Sequence, residues 1–408
     1  MSRALAPSTL SIIQATSPWL KEHAEEVTRC FYKRMFDANP EVRPMFNPSH
    51  QATGRQQRAL AGAILAYTAH IAELSVLGDA VELIAYKHAS LGVQEEHYPI
   101  VGEHLLAAID EVLGESSSQE ILDAWGQAYN LLAGILIERE GSIYEEHEVR
   151  HGWRGFREFR VTRRVEESAN ITSFHLRPVE GDGLAAHLPG QYITLKAPAH
   201  VAGGQTTMRN YSLSQAPGAP FYRISVKRER LPAKPDGVVS NWLHDHVGDD
   251  HILKVGPPCG EFVLDTASDA PGPLVFLSGG GGITPVLSML HAAATHAKHR
   301  EVHFIHATHN GNTHAFGDEV NRLAASHGRV KTHIFYEEPT DEDRELGRFE
   351  TEGRVDRAFL ETHLRDVSGE FYLCGPRGFM ATVREALLDL GADETRLHLE
   401  AFGPLESL

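Results

Sequence analysis

The stretch Leu274-Val-Phe-Leu-Ser-Gly-Gly-Gly-Gly-Ile-Thr-Pro285 decides the architecture of the C-terminal part of the chain. Its first four residues form a continuous apolar run, the pattern of a strand buried on both faces. Glycines Gly279 to Gly282 follow, and Pro285 opens an apolar segment to His291 that reads as a helix. Strand, glycine turn and helix are the repeating unit of a doubly wound α/β sheet, and backbone N–H groups at such a turn can approach a dinucleotide. The strict G-x-G-x-x-G spacing is absent, because Pro285 takes the third glycine position of the frame that starts at Gly280. On this motif alone an ordinary turn and a nucleotide cradle both stay open. Further short apolar runs at Val302–Ala307, His333–Tyr336 and Phe371–Cys374 read as parallel strands, with helices at Phe316–His327 and Arg377–Leu390. Residues 270–408 therefore read as an α/β domain.

Moving upstream, Ser268–Pro273 reads as a linker. Before it, Tyr222–Lys227 alternates apolar and polar residues, the period of a half-buried strand, and Gly190–Leu195 behaves similarly. Short strands divided by Pro and Gly make residues 152–266 an antiparallel β-barrel. The first 147 residues have a different period. Gln56, Leu60, Ala63, Ile64 and Tyr67 share one helix face; so do Val81, Ile84, Ala85 and His88. Val101, Leu105, Ala108, Ile109 and Val112 line a third helix, and Trp125, Tyr129, Leu132 and Leu136 a fourth. Pro40, Pro44 and Pro48 interrupt the earlier helices. This segment reads as all-α, with the polar stretch Glu145–Gly155 as the junction to the barrel.

Composition bounds the function. The 408 residues carry 38 Lys+Arg against 55 Asp+Glu, a net charge of −17. That balance argues against nucleic-acid binding and against docking on anionic lipid. Apolar residues at 42% and charged ones at 23% suit a folded globular chain. The three cysteines, Cys30, Cys259 and Cys374, lie far apart with no C-x-x-C spacing, which argues against a disulfide framework or structural zinc site and fits a reducing compartment. No run reaches the ~18 apolar residues of a membrane span. The expectation is a cytoplasmic monomer without membrane anchoring.

Several residues carry chemistry. In Arg209-Asn-Tyr-Ser212 an arginine fork suits a phosphate and the tyrosine ring suits a flat heterocycle. Gly237-Val-Val-Ser-Asn-Trp-Leu243 can open a helix whose N–H groups meet a pyrophosphate. Tyr372-Leu-Cys-Gly-Pro376 and Glu400-Ala-Phe-Gly-Pro404 follow late in the chain. In the helical part, His88 sits on an apolar face. Such a histidine is either a satisfied core residue or an axial ligand for haem iron. Tyr32 and Phe36 share a face, Phe46 lies at a corner, and Gln56 heads a buried stripe. Glu140 extends the stripe of Tyr129, Leu132 and Leu136. There it is either a solvated residue at a helix end or a buried carboxylate that needs a partner. Tyr98 begins the preceding helix.

The ordered set R-x-Y-S, G-x-x-S-N-W, glycine turn, C-G-P and F-G-P resembles the ferredoxin–NADP reductase family. The segments Phe31-Tyr32, Met45-Phe-Asn-Pro48, Ala85-Tyr-Lys-His88, Tyr98–Leu105, Leu122–Gly126 and Arg139-Glu140 look like a globin. Joined in this order, the whole chain resembles the bacterial and fungal flavohaemoglobins. That resemblance implies haem b, FAD, and NADH or NADPH as cofactors, with NO and O2 as small-molecule partners. It implies a nitric oxide dioxygenase, in which NAD(P)H reduces FAD, FAD reduces haem iron, and ferrous haem with O2 converts NO to nitrate under nitrosative stress. An oxygen or NO sensor or store, or a general flavin reductase, is the rival reading. Carried over by residue, His88 is the proximal iron ligand, and Tyr98 and Glu140 tune it. Tyr32 and Gln56 are distal donors, Leu60 closes the pocket, and Phe46 lies against the haem. Tyr192, Arg209, Asn210, Tyr211, Ser212 and Ser240 hold the flavin. Gly280, Gly281, Gly282, Ile283, Thr284 and Pro285 line the nicotinamide nucleotide site. Ala401, Phe402, Gly403 and Pro404 form the terminal motif, with Phe402 against the flavin ring. Lys87 and Glu400 tune electron transfer. Against the family pattern, Arg228–Asp236 is a longer loop, and Ala401 replaces a frequent cysteine.

Overall fold

Helices form first. Pro7 at the N1 position starts α1 (Pro7–Ala38), where the missing N–H costs nothing. A 3₁₀ turn over Pro40–Met45 leads to α2 (Pro48–Ala52), capped by the Asn47 side chain on the Ser49 N–H. Then come α3 (Arg55–Ala69), α4 (Gly78–Leu91), α5 (His97–Leu113) and α6 (Gln119–His151). Gly54 and Gly92 bound α3 and α4 with φ of 70° and 78°, the left-handed region that glycine enters without Cβ strain. The computed structural model describes residues 5–181, 183–204, 206–230, 236–268, 270–364 and 367–403.

The apolar stripes read from the sequence face inward except at Ala63, which is exposed, Ala61 being the buried alanine of that helix. Ile13, Leu20, Val27, Phe31 and Met35 of α1 pack with Tyr67 of α3, Ala108 and Ile109 of α5, and Trp125 of α6. A second cluster joins Ala85 and Ala89 of α4 to Tyr98, Ala133, Leu136 and Ile143. The polar stretch Glu145–Gly155 ends at the boundary between the two units, as expected of a junction, but most of it is helix. α6 continues to His151 and ends on Gly152 at φ 80°, because His147 is buried and holds the last turns down.

Strands β1 (Arg157–Glu166), β2 (Ile171–Pro178), β3 (Tyr192–Ala197), β4 (Thr207–Ser212), β5 (Tyr222–Lys227) and β6 (Ile252–Val255) form one sheet in the order β4-β3-β6-β1-β2-β5. The pairs β1–β2, β1–β6, β2–β5 and β3–β6 are antiparallel. A bridge from Leu213 to Ile224 joins the two edges, closing the sheet toward a barrel. The helix α7 (Val238–His246) lies between β5 and β6.

The second sheet is parallel. It comprises β7 (Leu274–Gly279), β8 (Val302–Thr308), β9 (Val330–Tyr336), β10 (Thr351–Glu352), β11 (Glu370–Cys374) and β12 (Leu397–Glu400) in the order β10-β9-β8-β7-β11-β12. Helices α8 (Ile283–His296), α9 (Gly317–His327), α10 (Asp341–Leu346), α11 (Arg357–His363) and α12 (Arg377–Asp389) connect the strands. Strand order reverses between β7 and β11, and in such sheets ligands bind at the C-terminal edge of that reversal. The chain packs as two units. One is built on the helical segment up to Gly155 and also takes in Pro198–Met208, with the first two residues of β4, and Gly403; the other holds the rest of both sheets. Among the described residues no helix is long and apolar enough to cross a membrane.

Burial of imidazoles couples this fold to pH. Desolvation holds His147, His151, His175, His314 and His333 down at about 4, and His306 well below its ordinary value. An unfolded chain takes up these protons near 6.5, so below that pH it binds more protons than the native state. Their contribution to stability is complete above about 6.5 and is lost as pH falls toward 4. The melting temperature of the full chain should therefore fall progressively from pH 7 to pH 4.5. A melting temperature that stays level or rises over that range contradicts the account.

Candidate functional site

One end of the helical unit is organised by a buried carboxylate. Glu140 is 2% exposed, in mid-helix on α6. Its Oε1 accepts a hydrogen bond from the Tyr98 hydroxyl at 2.5 Å and lies 2.8 Å from Nδ1 of His88. Removing a carboxylate from water costs several kcal/mol, roughly, unless donors replace the solvent. Here a phenol and an imidazole N–H do so. Acceptance by Glu140 puts the His88 proton on Nδ1 and leaves Nε2 as a basic nitrogen. Nε2 makes no hydrogen bond among the described residues. Tyr98 is fixed in turn, because the Tyr129 hydroxyl donates to its carbonyl at 2.6 Å. Burial and donation to Glu140 push the Tyr98 phenol far above its ordinary range, so it stays a proton donor.

The neighbouring residue ties the helices together. Arg139 donates from Nε to Glu82 at 2.6 Å and from a terminal nitrogen to the Tyr86 hydroxyl at 3.3 Å, both on α4. Arg139 outside and Glu140 inside thus hold α6 against the helix that carries His88. A histidine with one nitrogen committed to a carboxylate and the other free fits a haem iron ligand.

Three other expected residues, Tyr32, Phe46 and Leu60, share the larger helical core, and Gln56 is half-buried. Tyr32 is 5% exposed. Burial raises the pKa of its hydroxyl strongly, with the Gln56 side chain opposing. The Phe46 ring meets it edge-on at 5.7 Å, and Leu60 packs in the same cluster. A neutral phenol and an amide in an apolar surround fit a small polar ligand on haem. Lys87, next to His88, donates to the Gly403 carbonyl at 3.1 Å.

In the unit that holds the sheets, Arg209 and Tyr211 fall on one face of β4 by the period of a strand. Burial depresses the Arg209 guanidinium from its ordinary value, with Tyr211 opposing. It also raises the Tyr211 phenol. Asn210 points to the other face, where its Oδ1 accepts from Thr194 at 2.9 Å, and Ser212 is buried. Tyr192 is buried on β3. Gly260 at φ 119° makes room for it, since a Cβ there would lie 2.8 Å from the ring. The Ser240 hydroxyl donates to the Gly237 carbonyl at 3.1 Å and accepts from the Glu229 N–H at 3.2 Å. Its side chain therefore braces the start of α7, and the helix offers backbone N–H groups. Cation, aromatic ring and helix start together fit a flavin nucleotide.

The glycine turn divides its labour. Gly280 adopts φ 51° with open space at its Cβ position. A Cβ on Gly282 would collide with the Cys374 carbonyl oxygen, at the reversal between β7 and β11. Ile283, Thr284 and Pro285 are buried, and the Thr284 hydroxyl donates to the Gly281 carbonyl at 3.1 Å. These three shape the turn, while Gly280 and Gly281 are its accessible backbone. Sequence reasoning missed Lys227, whose stem passes 3.6 Å from the Cβ position of Gly281. It ends the alternating run Tyr222–Lys227, and its place as the last polar member of a barrel strand was the available signal. Glu400 pairs in register with Cys374 and raises that buried thiol further. Ala401 is half-buried, and the Phe402 ring is 53% exposed, free to cover a flat group. Pro404 lies outside the described residues.

A protein with this layout is a globin joined to a flavin- and nicotinamide-dependent oxidoreductase. Comparison with known proteins agrees. Residues 29–136 match the globin family, 158–264 the oxidoreductase FAD-binding domain, and 276–385 the oxidoreductase NAD-binding domain. The flavohemoprotein of Rhodopirellula baltica is 47% identical over 99% of both chains, and that of Bordetella pertussis 46% over 98% of both. The crystal structure of a flavohemoglobin from Malassezia yamatoensis with bound FAD and heme aligns with a TM-score of 0.85 at 28% identity, covering 98% of this chain and 100% of that one. The FAD/NAD-binding domain of a nitric oxide dioxygenase from Vibrio cholerae aligns with a TM-score of 0.54 at 35% identity, covering 62% of this chain and 100% of that one. The chain belongs to the flavohaemoprotein family.

Two substitutions test the site. His88→Ala in the full chain should abolish stoichiometric haem retention and the Soret band while leaving flavin content intact; a normal Soret band contradicts the ligand assignment. Gly282→Ala should destabilise the α/β domain by about 1–3 kcal/mol, as overpacking does, and weaken nucleotide binding. Equal stability and affinity in the purified variant would show that the turn is not held against Cys374.

Proposed function

We propose that this protein is a nitric oxide dioxygenase that oxidises NO with O2 to nitrate, using NAD(P)H as electron donor. The observation that carries the reading is the Glu140–His88–Tyr98 set, in which the carboxylate and the phenol are buried. A gas carrier needs a histidine ligand, but it has no use for a carboxylate that makes that ligand more anionic. The Malassezia relative, with FAD and heme, and the Vibrio neighbour, described as a nitric oxide dioxygenase, support the assignment.

Bound haem b supplies oxygen activation, and bound FAD splits the two electrons of a nicotinamide into single ones. The residues do the rest. Glu140 holds the proton of His88 at Nδ1 and increases electron donation from Nε2. Tyr98 donates to the same carboxylate and limits how far it can take that proton. On the other side, Tyr32 and Gln56 offer hydrogen bonds to a small polar ligand, and Phe46 and Leu60 exclude water. Arg209, with the start of α7, would balance the phosphates of a bound flavin nucleotide, and Tyr211 and Tyr192 would orient its ring system. The glycine turn binds NADH or NADPH through its backbone. The exposed Phe402 ring would cover a bound flavin, and Lys87 and Glu400 would adjust electron transfer from it. In this reading residues 1–147, 152–266 and 270–408 are the haem, flavin and nicotinamide parts, working in the cytoplasm as a monomer.

The balance is 2 NO + 2 O2 + NAD(P)H giving 2 nitrate + NAD(P)+ + H+. Stopped-flow absorbance of the holoprotein with an NO electrode should show rapid NO loss, nitrate as product and one NAD(P)H oxidised per two NO. Haem and flavin spectra without NO-dependent turnover would instead indicate a sensor or store. Flavin turnover with no Soret band would leave a flavin reductase.

A further inference from the structure

The flavin barrel and the parallel sheet pack together through an apolar seam. Ile171 of β2, Phe262 and Leu264 share one cluster with Phe276, Val286 and Met289. Apolar contact is non-directional and tolerates sliding. A directional contact lies across the same seam. Arg223 of β5, 8% exposed, points both terminal nitrogens at Glu319 of α9, at 2.8 and 2.9 Å. The guanidinium also donates from Nε to the Ser214 hydroxyl at 3.0 Å and lies 5.0 Å from the Phe316 ring centroid. Phe316 adopts φ 65° at the start of α9, an uncommon conformation for a bulky residue. The same Glu319 carboxylate accepts from Nε2 of His291 on α8 at 2.6 Å. His187 and Ser288 add a buried hydrogen bond at 3.0 Å nearby.

These residues join particular elements. Arg223 is near the start of β5, and the other end of that strand carries Lys227, which passes along Gly281. His291 is on α8, the helix that the glycine turn opens. One carboxylate therefore ties the barrel strand that borders the nucleotide turn to the helix that begins there. A bidentate arginine–carboxylate pair fixes angle as well as distance. Ion pairs buried this way are poor sources of stability compared with apolar residues of the same volume. Stability alone does not account for this one.

We propose that Arg223, Glu319 and His291 form a positioning clamp that holds the nicotinamide-binding turn in register with the flavin barrel and so sets the rate of hydride transfer from NAD(P)H to FAD. The clamp rests on the proposed function, because it presumes that this transfer feeds the haem. None of the three residues touches the reacting atoms. They act by alignment.

The test is anaerobic stopped-flow reduction of the flavin by NADH and by NADPH in full-length holoprotein, without NO. The double variant Arg223→Met with Glu319→Met replaces the pair by apolar residues of similar volume. It should keep FAD content and melting temperature close to wild type. Its maximal rate of flavin reduction should fall about tenfold or more, since a misalignment near 1 Å costs up to about 10²-fold. The later flavin-to-haem step should be unchanged. A variant that reduces its flavin as fast as wild type overturns the clamp. Should the double variant not fold, Arg223→Lys keeps the charge and loses the fork. It should slow flavin reduction at full FAD content, and an unchanged rate would again overturn the clamp. If neither nucleotide reduces the wild-type flavin, the proposed function fails and the clamp with it.

Discussion

A buried charge organises the haem side of this molecule. Glu140 sits in the middle of a 33-residue helix, out of contact with water. A carboxylate there is tolerable only if donors surround it. The need for donors fixes Tyr98 at the start of α5 and the Nδ1 proton of His88 on α4. The need to keep α4 and α6 at one spacing brings in Arg139, which grips Glu82 and Tyr86 from the adjacent position. Once Nδ1 is committed, Nε2 is the only ring nitrogen left for a metal. The chemistry of the site thus follows from the cost of one desolvated group.

A second constraint acts in the other unit. There the backbone, more than side-chain charge, makes the site. Gly282 lets the turn after β7 press against Cys374 at the point where strand order reverses, and Gly280 supplies the left-handed conformation that starts the turn. Arg223 and Glu319 then join that turn's helix to the barrel. Both units use buried ionic hydrogen bonds to set geometry, and both place them one layer away from the groups that meet ligands.

Most of this was legible in the sequence because it is periodic. Apolar stripes at helical spacing marked the helices, the alternation of Tyr222–Lys227 marked a barrel strand, and Leu274–Pro285 marked the strand–turn–helix. Glu140 was visible as an anomaly, a carboxylate on an apolar face. Two readings stood for it there, and only the continuation of α6 to His151 decides for burial. Other features were not legible. Ser240 looks like a ligand-facing hydroxyl but is spent inside its own helix start, and Ile283 to Pro285 carry core side chains. Asn210 alternates away from Arg209, as strand geometry requires. Arg223 and Glu319 lie almost a hundred positions apart, and no local pattern links a polar residue on a strand to another on a distant helix.

The central claim is that Glu140 makes the His88 ligand more anionic and so strengthens its donation to iron. The most direct measurement is the iron–histidine stretching frequency of the ferrous holoprotein by resonance Raman, compared between wild type and Glu140→Gln. The account predicts a clearly higher frequency in the wild type, with the Gln variant falling toward that of a neutral imidazole ligand. Equal frequencies, in a variant that keeps its haem and its fold, would contradict it.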